Sequence, residues 1–227
     1  MSVVSPPTPA RRAVLQRRVR AIVAVTIAYN LVEAVVALSA GAAASSAALI
    51  GFGLDSAVEV LSAAAVAWQF SRRDPERWER GTLRVIAVAF FALAAYVTAS
   101  SVLALVGAGV VEHSPVGIAL TALSVVVMPF LSLAERRTGR ELGSATAVAD
   151  SRQTLICTWL SAAVLAGLLL NGWLGWWWAD AVAGLVIAAF AVREGLEAWR
   201  GDACATSVGM LLEDEHGEHG EHDAHGR

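Results

Sequence analysis

Two acids stand four residues apart in an otherwise apolar run, Asp55 and Glu59 in the stretch GFGLDSAVE that begins at Gly51. On a helix of 3.6 residues per turn, a four-residue step puts both carboxylates on one face, with Cβ atoms about 6 Å apart. Such a pair is a cation-binding chemistry: two anionic oxygen donors that repel each other until a proton or a positive ion answers them. If the run crosses a bilayer, each ionised acid at mid-depth costs roughly 2.5–3.5 kcal/mol on insertion scales, so something positive is expected beside them.

A second pair repeats the spacing. Gln153 and Cys157, in AVADSRQTLICTWLS, offer an amide oxygen and a thiol at the same step. Asp150 lies just before them, and Arg152 can reach the membrane interface with its long side chain. Asn30 and Glu33 share a helix face in an earlier apolar run, either as a clamp between helices or as part of a polar pathway. Asp180 follows the aromatic stretch GWLGWWW. It either lies on an access path from outside or caps its own helix, since a negative charge is stabilised at a helix N-terminus. Near the end of the chain, His216, His219, His222 and His225 alternate with acids; they suit weak capture of Zn, Ni, Cu or Co, or form an acidic solvated tail.

The elements that must carry these residues follow from hydropathy. The chain has 227 residues, 56% hydrophobic and 16% charged, more apolar than a soluble core needs. Six runs, about 20–40, 46–70, 83–107, 116–134, 145–170 and 177–199, are each long enough to cross the roughly 30 Å hydrocarbon layer as a helix. All seventeen basic residues are Arg. They cluster before the first run, between the second and third, between the fourth and fifth, and after the sixth. The three alternate connections contain none. By the positive-inside rule both termini are cytoplasmic, which an even number of spans requires. The expected fold is all-α, a polytopic membrane protein of six transmembrane helices. Residues 1–19 form a cytoplasmic lead, 20–200 the membrane domain and 201–227 a cytoplasmic His- and acid-rich tail. The first run is too long for a signal-peptide core and stays as a helix. The charged stretch SRRDPERWERG at 71–81 is expected as an inner loop. Cys157 and Cys204 do not form a disulfide framework.

The second run, from Ser46 through Asp55 to Glu59, resembles the second helix of the cation diffusion facilitator family, in which two ligands four apart face two more on the fifth helix. Ala149-Asp150 followed by Gln153 and Cys157 is similar in register to that family's His and Asp pair, and Trp178-Ala-Asp180-Ala-Val-Ala-Gly184 to the start of its sixth helix. The resemblance covers about 20–200. Two departures accompany it: Gln153 and Cys157 stand where His and Asp are usual, and only a short tail follows Arg200, where the family's cytoplasmic metal-binding domain is expected to be missing.

The resemblance implies a divalent-cation transporter of the plasma (inner) membrane. It exports zinc or a similar transition metal from the cytoplasm, with protons as counter-ion. Asp55, Glu59, Gln153 and Cys157 are the expected ligands, with Asn30, Glu33, Asp150 and Asp180 on the pathway or behind it. Cys157 favours a borderline ion over Mg or Ca, whose ligands are oxygens. The metal is cargo, and no prosthetic group is expected. The partners are lipid, the cation, protons and a second copy of the chain, with no nucleic acid. A non-transporting membrane metal sensor or scaffold is the alternative. An enzyme using Cys157 is not expected, because no His lies within a span to activate the thiol.

Overall fold

In a computed structural model of the chain, which describes residues 9–70, 75–107, 111–142 and 145–201, the secondary structure is entirely helical. Six helices follow one another: α1 Pro9–Ala44, α2 Ala47–Phe70, α3 Pro75–Leu105, α4 Pro115–Leu142, α5 Ala145–Leu174 and α6 Trp177–Arg200. Three of them begin on proline, which has no N–H to leave unsatisfied in a first turn and whose ring fixes φ near its helical value. This is why α3 starts at Pro75, inside the charged stretch expected to be a loop. There, Pro75 supplies a helix start that the charge pattern conceals. By the same logic α1 reaches back to Pro9, and the basic segment before the first span continues that span as a helix.

The outer connections are short. Ser45, at φ +53°, turns α1 into α2, and Gly175, at φ +68°, turns α5 into α6. The outer ends are also laced together: Glu112 N–H donates to the Ala44 carbonyl at 2.8 Å, and Asn171 Nδ2 to the Val111 carbonyl at 3.1 Å. At the opposite end, Arg11 pairs with Glu141 at 2.7 Å, bringing the start of α1 to the end of α4.

Five helices contain stretches long and apolar enough to cross a membrane: Ala13–Ala44, Ala47–Ala65, Arg80–Leu105, Pro115–Leu142 and Thr154–Leu174. The sixth carries more charge, with Asp180, Arg193, Glu194 and Glu197. Its aromatic ends nevertheless set its length. Trp177 and Trp199 are both exposed, and their 22-residue separation is about 33 Å of helix, the depth of a hydrocarbon layer. Trp68 and Trp78 meet edge to face near the inner end, and Trp176 stacks on Trp178 at the outer end. These are the two aromatic belts of a spanning protein. Exposed Val and Leu side chains such as Val25, Val32, Val85, Leu123 and Val126 occupy the faces between them, as a lipid-facing surface requires. The protein is an integral membrane protein.

α2 packs against α1, α3, α5 and α6, and α4 closes the bundle against α1 and α5. An apolar core of Val58, Ile86, Phe90, Leu93, Val97 and Ala191 joins α2 to the α3–α6 pair. A second core, including Ala37, Leu49, Phe52, Leu160, Val164 and Ile187, joins α1, α2, α5 and α6. Gly53 sets the approach of α2 to α1: a Cβ there would stand 2.9 Å from the backbone nitrogen of Leu38 and 3.0 Å from Ala37 Cβ. Small residues at such crossings let helix backbones approach closely in a membrane, where apolar burial alone gives no preference for a neighbour over lipid. Gly53→Val is therefore expected to force α1 and α2 apart and cost about 1–3 kcal/mol, as overpacking does. A lowered thermal unfolding midpoint of the detergent-solubilised protein checks this, and an unchanged midpoint contradicts it.

Candidate metal centre

The inner faces of α1, α2, α4 and α5 carry polar residues in tiers. α2 enters from the outer side at Ala47. Asp55 and Glu59 follow eight and twelve residues later, about 12 and 18 Å into the membrane. Their four-residue step stacks them as the helical period requires, and Cys157 of α5 comes to meet them. One ligand atom from each of Asp55, Glu59 and Cys157 lies within 4.8 Å of the other two. Asp55 is 9% exposed and Cys157 7%, while Glu59 is half-buried.

The Glu59 carboxylate is bracketed. Asn30 Nδ2 of α1 donates to its Oε2 at 2.6 Å, and the Cys157 thiol donates to Oε1 at 2.7 Å. Asp55 differs: among the described residues no side chain donates a hydrogen bond to it. It is buried, and an oxygen of the Glu59 carboxylate lies within 4.8 Å of it. A carboxylate in that position accumulates electrostatic cost that only a proton or a cation can relieve.

One step outward, the buried carboxylate of Glu33 accepts hydrogen bonds from Ser56 Oγ at 2.8 Å and from Ser124 Oγ of α4. Tyr29 shares a hydrogen bond with the same Ser124 at 2.8 Å. One turn inward lies Glu135 of α4, 3% exposed. Thr154 Oγ1 donates to its Oε2 at 3.0 Å, and Thr26 Oγ1 approaches Oε1 at 3.5 Å. Thr26 precedes Asn30 by four residues and Thr154 precedes Cys157 by three, so this tier sits directly beneath the metal-ligand cluster on the same helix faces.

Three of the four expected ligands are described, and they converge. Asp150 and Gln153 belong to the α5 backbone, but their side chains are outside the described residues, as are the whole of His216, His219, His222 and His225. Asn30 and Glu33 differ in their contacts: Asn30 donates to Glu59 of the cluster, and Glu33 accepts from Ser56, the neighbour of Asp55 in the chain. Asp180 lies in the first turn of its own helix, where its charge meets the favourable end of the dipole as expected, and it also has a second partner. It is fully buried, and it caps a different helix from its own, accepting from Ser46 Oγ at 2.5 Å and from Ala48 N–H at 3.3 Å. Those donors belong to the beginning of α2, whose first-turn amides have no intrahelical acceptor. Its carboxylate thus serves the start of α2 as well as the first turn of α6, and sequence does not show which other helix starts beside it. Glu135 escapes a sequence reading entirely. It precedes Arg136 and Arg137 and looks like part of a solvated, charged helix end. A helical projection of α4 carries the signal, since Thr121, Ser124, Met128, Ser132 and Glu135 fall on one buried face.

The fold and this cluster define a polytopic helical membrane protein in which carboxylate and thiol donors from two spans meet at mid-depth. Residues 23–201 match the cation efflux transmembrane domain, and the chain belongs to that family, the one its second- and fifth-helix motifs resemble. It is 26% identical over 204 residues to the cation-efflux pump FieF of Shewanella oneidensis; the match takes in 86% of this chain and 66% of that protein. The chain therefore spans just under two thirds of that relative's length. The family and the apolar helices make it a protein of the plasma membrane.

The Asp180 contact is directly testable. Asp180→Ala leaves Ser46 and the Ala48 N–H without their buried acceptor and is expected to destabilise the solubilised protein by about 1–3 kcal/mol. Asp180→Asn keeps an acceptor oxygen and is expected to lose much less. Equal thermal shifts for the two variants would contradict the cap.

Proposed function

We infer that the protein is a transporter and not an enzyme, and that it exports a divalent transition-metal cation, zinc or a similar ion, from the cytoplasm in exchange for protons. The observation that carries this reading is the convergence of Asp55, Glu59 and Cys157 within 4.8 Å inside a membrane bundle. Two carboxylates and a thiol form a mixed oxygen and sulfur donor set. Such a set suits a borderline ion such as Zn over Mg or Ca, which take oxygen ligands. Gln153 is assigned as a further ligand from its register on α5.

Metal binds the deprotonated forms of these ligands. Loading a cation releases the proton by which Cys157 holds Glu59, together with any proton on Asp55, and unloading takes protons back. A metal-loaded site and a protonated site each relieve the repulsion around Asp55, whereas an empty ionised site does not. Passage between inward- and outward-open states then favours the loaded or protonated site, which is the condition for exchange. Lipid surrounds the exposed Val and Leu faces, and a second copy of the chain is the expected protein partner.

The test uses the purified chain in vesicles with an imposed pH gradient. Zinc uptake is expected in the native protein, and it should fall to the level of protein-free vesicles in the Asp55→Ala, Glu59→Ala double variant. Equal uptake by the two proteins would remove the site assignment. Zinc retained by the native protein without flux would make it a binding protein instead. Cys157→Ser is expected to weaken zinc retention by at least ~10-fold while leaving the weak binding of Mg unchanged.

A further inference from the structure

We propose that the amide oxygen of Asn30 is a cation ligand, extending the metal site from α2 and α5 onto α1. The proposal rests on the reading of Asp55, Glu59 and Cys157 as ligands for a borderline divalent metal ion, and it concerns a helix outside the two whose motifs carry that reading.

Asn30 is 6% exposed, and its two polar atoms have opposite fates. The Nδ2 group donates to Glu59 at 2.6 Å, while Oδ1 is buried with no hydrogen-bond partner among the described residues. The orientation of the amide is not arbitrary, because an ionised carboxylate only accepts and the nitrogen must face Glu59. Oδ1, on the same amide carbon, is thereby held beside the cluster. A buried carbonyl oxygen without a donor costs about 1–3 kcal/mol. Thr82 Oγ1 and Ser101 Oγ are also without partners, but a hydroxyl hydrogen can rotate towards an acceptor, while a carbonyl oxygen can only wait for a donor or a cation.

The neighbouring tiers sharpen the contrast. Hydroxyls of Ser56 and Ser124 fill the acceptors of Glu33, and Thr154 serves Glu135. Among the described residues, an amide oxygen is left over only in the tier of Asn30, Glu59 and Cys157, which holds the converging ligand atoms. Four-coordinate zinc needs four donors. Asp55, Glu59 and Cys157 supply three and Gln153 is assigned as a fourth; the Asn30 oxygen is the donor for the five-coordinate state to which zinc sites expand, and it adds no third carboxylate charge to a buried site. The hydrogen bond to Glu59 then has a second role: it fixes the amide against a ligand of the cluster.

A ligand and a mere positioning residue are separable. The purified full chain is titrated with Co(II) in detergent, following the d–d bands and the thiolate-to-cobalt charge transfer. Asn30→Leu removes both polar atoms and is expected to weaken binding by at least the roughly 10–100-fold that a lost outer contact costs. Asn30→Asp keeps an oxygen at the same place but withholds the N–H from Glu59, and it is expected to bind close to native strength with shifted d–d bands. Native binding in Asn30→Leu overturns the proposal. So does an Asn30→Asp protein whose bands stay in place, or whose affinity falls as far as that of Asn30→Leu. The Asn30→Asp spectrum decides alone if Asn30→Leu does not fold. Asp55→Ala serves as the control: if it binds Co(II) as tightly as the native chain, the whole site reading fails, and not the role of Asn30 alone.

Discussion

An ionised carboxylate inside a membrane must be answered, and the way each buried acid of this protein is answered explains most of its interior. Glu33 is answered by the hydroxyls of two serines, Glu135 by threonines, and Asp180 by a serine and the first-turn backbone of another helix. These arrangements use neutral donors at fixed distances and hold helices together. Asp55 receives no side-chain donor among the described residues, and Glu59 and Cys157 each bring a ligand atom within 4.8 Å of it. Asn30 joins the group through Glu59.

The scaffold keeps that imbalance in place. Gly53 brings α1 within backbone contact of α2, carrying Asn30 to Glu59. Asp180 ties α6 to the outer start of α2, so the helix bearing both acids is anchored one end above the cluster. The α3–α6 pair forms an apolar wall through Phe90, Leu93 and Val97. Each contact is modest by itself. Together they hold α2, which packs against four other helices, at a defined height in the bundle.

The family match and the local geometry bear on different questions. The match over residues 23–201 covers nearly all of the helical bundle and shows the family. The particular donor set, with a thiol on α5, belongs to this chain's own residues. Sulfur at Cys157 makes this donor set softer and less negative than carboxylates alone would be.

Sequence alone determined the helical membrane class, the number of spans, their orientation and the pairing of Asp55 with Glu59. Hydropathy, arginine placement and helical period are local properties, and a membrane leaves few alternatives for a backbone that must satisfy its own hydrogen bonds. Sequence was less able to locate helix starts, as Pro75 and Pro9 show, because charge and capping compete over a few residues. Partnerships between helices were beyond it. That Asp180 caps α2, that Glu135 faces inward beside Thr154, and that Asn30 meets Glu59 depend on which helix faces touch and at what height. Tertiary packing decides these contacts through close approaches such as that at Gly53, which no spacing along one chain segment encodes.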